Sequence, residues 1–192
     1  MSMINEIAAW YDERRDASLG HGDWHEVTLE DVRGFAGVTR DDQWIHVDPV
    51  RAESGPYGAP IAHGFLVLSL VPHLCDSLLD FRWSAMAINY RVDKVRFRAA
   101  VPVGGHVRAT AKVLSCRVRP RELLELALNV SVELRGSTTP ACTLVHTALH
   151  QVAAEATLPV IRGAAGDSSA TDTPEQALAP VPGGMERNIE VN

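Results

Sequence analysis

The spacing of apolar positions along the chain gives it three textures. Ile4 to Arg15 mixes apolar and charged residues at helical spacing, which predicts a first helix. "WHEVTLEDVRGFAG" then predicts a short strand and a helix, with Thr28 as N-cap, Asp31 completing a near-capping box and Gly37 as the stop. Asp48-Pro49 starts another short helix, running through Ala52, because aspartate caps and proline at the first helical position has no N–H to lose. "ESGPYGAP" is a loop. From Gly64 the chain is apolar on nearly every side, through Phe65, Leu66, Val67, Leu68, Leu70, Val71 and Leu74. A helix apolar all round is one enclosed by the rest of the fold, so a buried central helix is expected, bent or shortened by one turn at Pro72.

Beyond it the period falls to two. In "HVRATAKVLSCRV", Val107, Ala109, Ala111 and Val113 share one face, and Arg108, Thr110 and Lys112 the other. "AMAINYRVDKVRF", "LLELALNVSVEL" and "ACTLVHTALHQV" follow related patterns, and "PVGG", "RVRPRE" and "RGSTTP" are turn signals between them. Three or four consecutive strands with short turns form an antiparallel meander, and a sheet curled around one buried helix makes the fold class α+β. The expected organisation is a helical extension over residues 1–23, one domain over 24–156, and a tail over 157–192 with no regular structure, rich in Pro, Gly, Ala, Ser and Thr.

Composition narrows the function. The net charge of −6 argues against general nucleic-acid binding. Eleven of the eighteen basic residues fall between Arg82 and Arg135, against four acidic ones, which reads either as solvated strand faces or as a rim attracting a phosphate-bearing ligand. Cys75, Cys116 and Cys142 are far apart and form no CxxC, so neither a disulfide framework nor a zinc knuckle is indicated, and a reducing cytoplasmic setting fits best. The N-terminal stretch is too charged for a signal peptide, and the longest apolar run is too short to span a bilayer, so no membrane partner is expected.

Chemistry concentrates in "TRDDQWIHVDPVRA" and "PIAHGFL". A carboxylate can hold an imidazole in one tautomer and raise its basicity, and Asp41 and His46 can converge if they flank a non-helical turn. Equally, Asp41 can be a turn-former and His46 a half-buried surface residue. Trp44 and Ile45 read as apolar anchors for the loop, Asp42 as a solvated turn residue. A helix opening at Gly64 or Phe65 would leave N–H groups free to stabilise a developing enolate oxygen, with glycine permitting close approach. The alternative is a glycine required only for packing. His63 is either a pocket wall or a satisfied core histidine. No nucleophile elbow, P-loop or dinucleotide fingerprint occurs, and the histidines lack metal-ligand spacing, so no metal is expected.

"FAGVTRDDQWIHVDPVRA", a Gly/Pro-rich loop, "IAHGFLVLSL" and "INYRVDKVRFRAAVPVGGHVRA" occur in that order. Together they resemble the MaoC-like hydratases, nearest the branch that includes nodulation protein N and the (R)-specific enoyl-CoA hydratases. The resemblance runs from about Trp24 to Val152. It implies a hot-dog fold, a sheet wrapped around a long central helix. It places the catalytic pair on Asp41 and His46 and the oxyanion-hole amide on Gly64. It further implies syn addition of water to a trans-2-enoyl thioester, giving an (R)-3-hydroxyacyl thioester, or the reverse dehydration, with no cofactor beyond the CoA or carrier thioester of the substrate. Substrate contacts are then expected from Trp44, Ile61, His63, Phe65 and Ser69, with Asn89 and Tyr90 at the entrance, and the expected assembly is a homodimer. A non-catalytic acyl-thioester-binding subunit, or less favoured a thioesterase, is the alternative. Where the family has glycine before the aspartate this chain has Arg40, and Gln43 and Trp44 replace the family's more general asparagine and proline.

Overall fold

The structure is a computed structural model that describes residues 2–163; residues 164–192, most of the expected tail, lie outside the described residues. Helix α1 (Met3–Asp12) leads into strands β1 (Ser18–His21) and β2 (His25–Glu26). Helices α2 (Leu29–Thr39), α3 (Trp44–Val47), α4 (Pro49–Glu53), α5 (Gly64–Ser69) and α6 (Val71–Asp76) follow. Four long strands complete the body: β3 (Ser84–Phe97), β4 (His106–Arg119), β5 (Leu123–Leu134) and β6 (Cys142–Val152).

The sheet is antiparallel in the order β1-β4-β5-β6-β3, with β2 also paired to β4. The alternation in β4 is realised as read: Val107, Ala109, Ala111 and Val113 are buried, while Arg108 on the other face pairs with Glu133 of β5 at 2.7 Å. Opposite charges on directly facing residues stabilise a sheet modestly. The meander is the three-strand case, β4, β5 and β6. β3 crosses to the far edge beside β6, so "PVGG" does not close a hairpin. That stretch is instead a strap. Ala62 N–H donates to Val101 O at 2.8 Å, Val103 N–H to Pro60 O at 2.9 Å and Gly104 N–H to Val27 O at 2.8 Å.

The apolar stretch from Gly64 does form the central element, but in two pieces. Leu70 separates α5 from α6, and Pro72 sits in the first turn of α6, where its missing N–H costs little. Nor is it enclosed on all sides. Leu66, Val67, Val71 and Leu74 are buried, whereas Phe65 is 67% exposed. β3, the edge strand, is exposed along nearly its whole length and presents Met86, Ile88, Tyr90 and Val92.

The ends of the described chain belong to the body. Within residues 1–23, Ile7, Tyr11 and Leu19 are fully buried and β1 pairs with β4, so this segment is a sheet and core component, not an appendage. Past residue 156, Asp80 N–H donates to Val160 O and Arg162 N–H to Leu78 O, each at 2.8 Å. Asp80 also pairs with Arg82 and Arg162, and these contacts, Arg82 foremost, hold its carboxyl well below the usual range. All three cysteines are buried and free, and burial pushes the Cys75 and Cys116 thiols up to about 12, away from nucleophilic use. No helix among the described residues is long and apolar enough to cross a membrane.

Candidate active site

The capping box at Thr28 and Asp31 is complete and fixes the start of α2. The helix does not stop at Gly37. It continues to Thr39 and ends on Arg40, whose φ of 65° and ψ of 20° are left-handed, with its N–H on Ala36 O at 2.8 Å. This is the conformation for which glycine is the usual residue, and here an arginine adopts it. The turn delivers Asp41, half-buried, to the face of the molecule where α3 begins.

The segment between Asp41 and His46 was expected to be non-helical; Trp44 to Val47 instead form one helical turn that carries His46 inward. His46 is 7% exposed, and its Nδ1 lies 2.7 Å from Ile61 O. A carbonyl only accepts, so Nδ1 carries the proton and Nε2 of the neutral ring keeps its lone pair. Ile61 N–H in turn donates to Ile45 O at 2.9 Å, stitching the two segments reciprocally. One carboxylate oxygen of Asp41 and one ring nitrogen each of His46 and His63 lie within 4.8 Å of one another. His63 immediately precedes α5. The Gly64 N–H at the start of that helix has no hydrogen-bond partner among the described residues. With α5 only six residues long, it offers first-turn N–H donors unpaired among the described residues, not a macrodipole.

The same three side chains are the one group of potential metal ligands among the described residues. Their geometry suits a cation poorly. The His46 and His63 rings stack at 3.8 Å with 26° between planes. Imidazole lone pairs lie in the ring plane, so two nearly parallel rings do not converge on a single ion at about 2 Å.

The other expected contacts divide. Ile61 is buried and contributes through its backbone. Trp44 packs against its own loop: the Arg51 guanidinium lies 4.5 Å from its ring, and a Cβ on Gly55 would meet it at 2.9 Å. Phe65 is exposed, and the Ser69 hydroxyl donates to Phe65 O at 2.7 Å. Asn89 and Tyr90 stand on β3, Asn89 Oδ1 accepting from His146 Nε2 at 2.9 Å, and neither has a hydrogen bond or ring contact with Asp41, His46 or His63. Sequence reasoning missed Phe97, whose ring would lie 3.1–3.2 Å from a Cβ at Gly64 and meets Phe65 edge-on at 5.7 Å. Many basic residues of the middle region are already engaged: Arg91 with Asp93, Arg119 with Glu125, and Arg108 and Arg135 over the Trp24 ring.

An antiparallel sheet curled on a broken central helix is the hot-dog fold. The (R)-hydratase from A. caviae involved in PHA biosynthesis shares it with a TM-score of 0.57 over 70% of this chain and 94% of that one, at 22% identity. The MaoC like domain family matches residues 12–133, and the chain belongs to that family. Among curated relatives, 3-hydroxyacyl-thioester dehydratase Z of Mycobacterium tuberculosis is 44% identical over 72% of this chain and 89% of its own length. Nodulation protein N of Rhizobium meliloti is 40% identical over 65% of this chain and 79% of its own. The chain is accordingly a hydratase/dehydratase of the hot-dog fold.

Proposed function

We propose that the chain adds water to trans-2-enoyl thioesters to give (R)-3-hydroxyacyl thioesters, or runs the reverse dehydration, with Asp41 and His46 as the catalytic pair and the Gly64 amide as oxyanion donor. The observation that carries this reading is the placement of an Asp41 carboxylate oxygen and a His46 ring nitrogen within 4.8 Å, with the N–H of Gly64, next in sequence to His63 of the same cluster, unpaired among the described residues. Two polar atoms within that distance can share one water. In the hydration direction the water oxygen bonds to Cβ and the alkene electrons move onto the thioester oxygen as an enolate, which the Gly64 N–H receives. One member of the pair enters the step unprotonated and takes a proton from the water, while the other enters protonated and delivers its proton to Cα from the same face, so addition is syn and the proton has changed places within the pair. The thioester itself supplies the acidity at Cα.

The substrate is an acyl-CoA or an acyl-carrier thioester, in keeping with the names of the relatives. The assembly proposed is a homodimer joined along β3, since an edge strand presenting Met86, Ile88, Tyr90 and Val92 to water is one that pairing would cover.

The test is loss of the conjugated enoyl absorbance of trans-2-enoyl-CoA substrates of several chain lengths. Asp41→Asn and His46→Gln are each expected to slow it by about 10²–10⁴-fold without lowering the thermal midpoint. Full rates in both variants would remove the pair from the mechanism. Tight acyl-CoA binding without turnover would mark a binding subunit, and release of free thiol would mark a thioesterase.

A further inference from the structure

We propose that His63 is a positioning residue that sets the Asp41 carboxylate, the His46 imidazole and the Gly64 amide relative to one another; the inference rests on the hydration reading above. The His63 ring is 2% exposed and contacts both the Phe35 ring, centroid at 5.1 Å, and the His46 ring, centroid at 3.8 Å. Its Nε2 is 2.8 Å from the main-chain oxygen of Asp41. That oxygen only accepts, so Nε2 carries the proton and Nδ1 is the unprotonated nitrogen of the neutral ring. Nδ1 is buried and has no hydrogen-bond partner among the described residues.

A buried, unpartnered nitrogen is destabilising, and a phenylalanine against Phe35 and His46 would fill the space without it. What phenylalanine would lack is the N–H that grips Asp41. That grip falls on the residue directly after the left-handed turn at Arg40, where a small rotation swings the carboxylate. The stack acts on His46. The Nδ1–H···O bond to Ile61 fixes one edge of the His46 ring, and the face of His63 fixes its plane, so together they aim the Nε2 lone pair. The third link is covalent, because His63 is the residue before Gly64. One side chain therefore holds Asp41 by a hydrogen bond and His46 by stacking, and its backbone holds the amide. Misplacing reacting groups by about 1 Å can cost 10²-fold in rate.

The test compares the full-length wild type with His63→Phe, which keeps a ring in the stack but has no donor, and His63→Gln, whose amide nitrogen can reach the Nε2 position. His63→Phe is expected to lower kcat for trans-2-enoyl-CoA hydration by about 10–100-fold with KM within about threefold, and His63→Gln to recover part of that loss. Hydrogen exchange of peptides covering residues 39–46 should quicken in His63→Phe and stay near wild type in His63→Gln. A wild-type kcat in His63→Phe overturns the inference, as does a raised KM with kcat unchanged, which would make His63 a wall of the substrate pocket. A wild type that hydrates no enoyl-CoA defeats the hydration reading instead. The exchange data then decide the positioning role alone, and unchanged exchange in His63→Phe overturns it.

Discussion

His150 makes the fold acid-sensitive by an amount that can be worked out. It lies on β6, 4% exposed, with the Phe81 ring parallel to it at 5.6 Å and the Trp83 ring at 4.7 Å. Its Nδ1–H donates to Ser84 Oγ at 3.0 Å, and that hydroxyl donates onward to Met86 O. The titratable group that acts on it is His146 of the same strand, also cationic when protonated. Burial, and secondarily His146, push the His150 pKa down from 6.5 to about 4. The unfolded chain therefore takes up this proton first as pH falls. Stability contributed by the neutral ring is complete above about 6.5, is lost progressively between 6.5 and 4, and changes no further below. A shift of that size corresponds to about 3 kcal/mol, a large part of the ~5–15 kcal/mol by which domains are stable. Urea melts of the wild type and His150→Phe at pH 7, 6, 5 and 4 isolate it. The substitution keeps a ring between its neighbours, and any packing or Ser84 penalty shifts its curve equally at every pH. The wild type should lose about 3 kcal/mol more than the variant between pH 7 and 4, or about 6–12 °C in midpoint. Parallel curves, within about 0.5 kcal/mol, would refute the reasoning.

Arg40→Gly should raise stability by less than about 1 kcal/mol, since it removes the left-handed cost of a side chain but adds unfolded-state freedom. Arg40→Val, β-branched at φ 65°, should lose more than about 1 kcal/mol; a reversed order in thermal melts would contradict the backbone assignment. Lysines at Ile88 and Tyr90 should convert the expected dimer to a monomer in light scattering, and a monomeric wild type would refute pairing along β3. Gly64→Ala places a methyl 3.1–3.2 Å from the half-exposed Phe97 ring, which has room to yield. The melting midpoint should stay within about 3 °C while kcat/KM falls at least about tenfold, and an unchanged kcat/KM would take Gly64 out of the site.

What the sequence made legible is whatever repeats locally. The period of two in β4 puts Val107 and Ala109 inward whatever the strand pairs with, and Thr28 with Asp31 builds its cap within one turn. Pairing partners are not local, so the placement of β3 beside β6, and the use of Val101 to Gly104 as a strap, left no periodic trace. The stop of α2 was misplaced for a related reason: Gly37 advertises a left-handed residue, yet Arg40 supplies it. In the candidate site, Asp41 and His46 were singled out through their motif, but their geometry depends on contacts from Ile61 and His63. Both are side chain to main chain bonds across 15 or more residues, and a main-chain oxygen looks the same under any side chain.

The open side of the molecule links assembly to chemistry. Phe97, at the end of β3, lies against Gly64, and Phe65, next to Gly64, meets the same ring. The strand whose exposed edge calls for a second copy thus ends on the glycine whose amide is proposed to receive the enolate. Asn89 lies back along that strand by a contour of roughly 25 Å, at about 3.3 Å per residue. If Asn89 and Tyr90 line an acyl-thioester path, pairing along β3 is one way to bring them to it. A kinetic effect of Asn89→Ala in a dimer, absent from a monomerised variant, would place that path across the dimer seam.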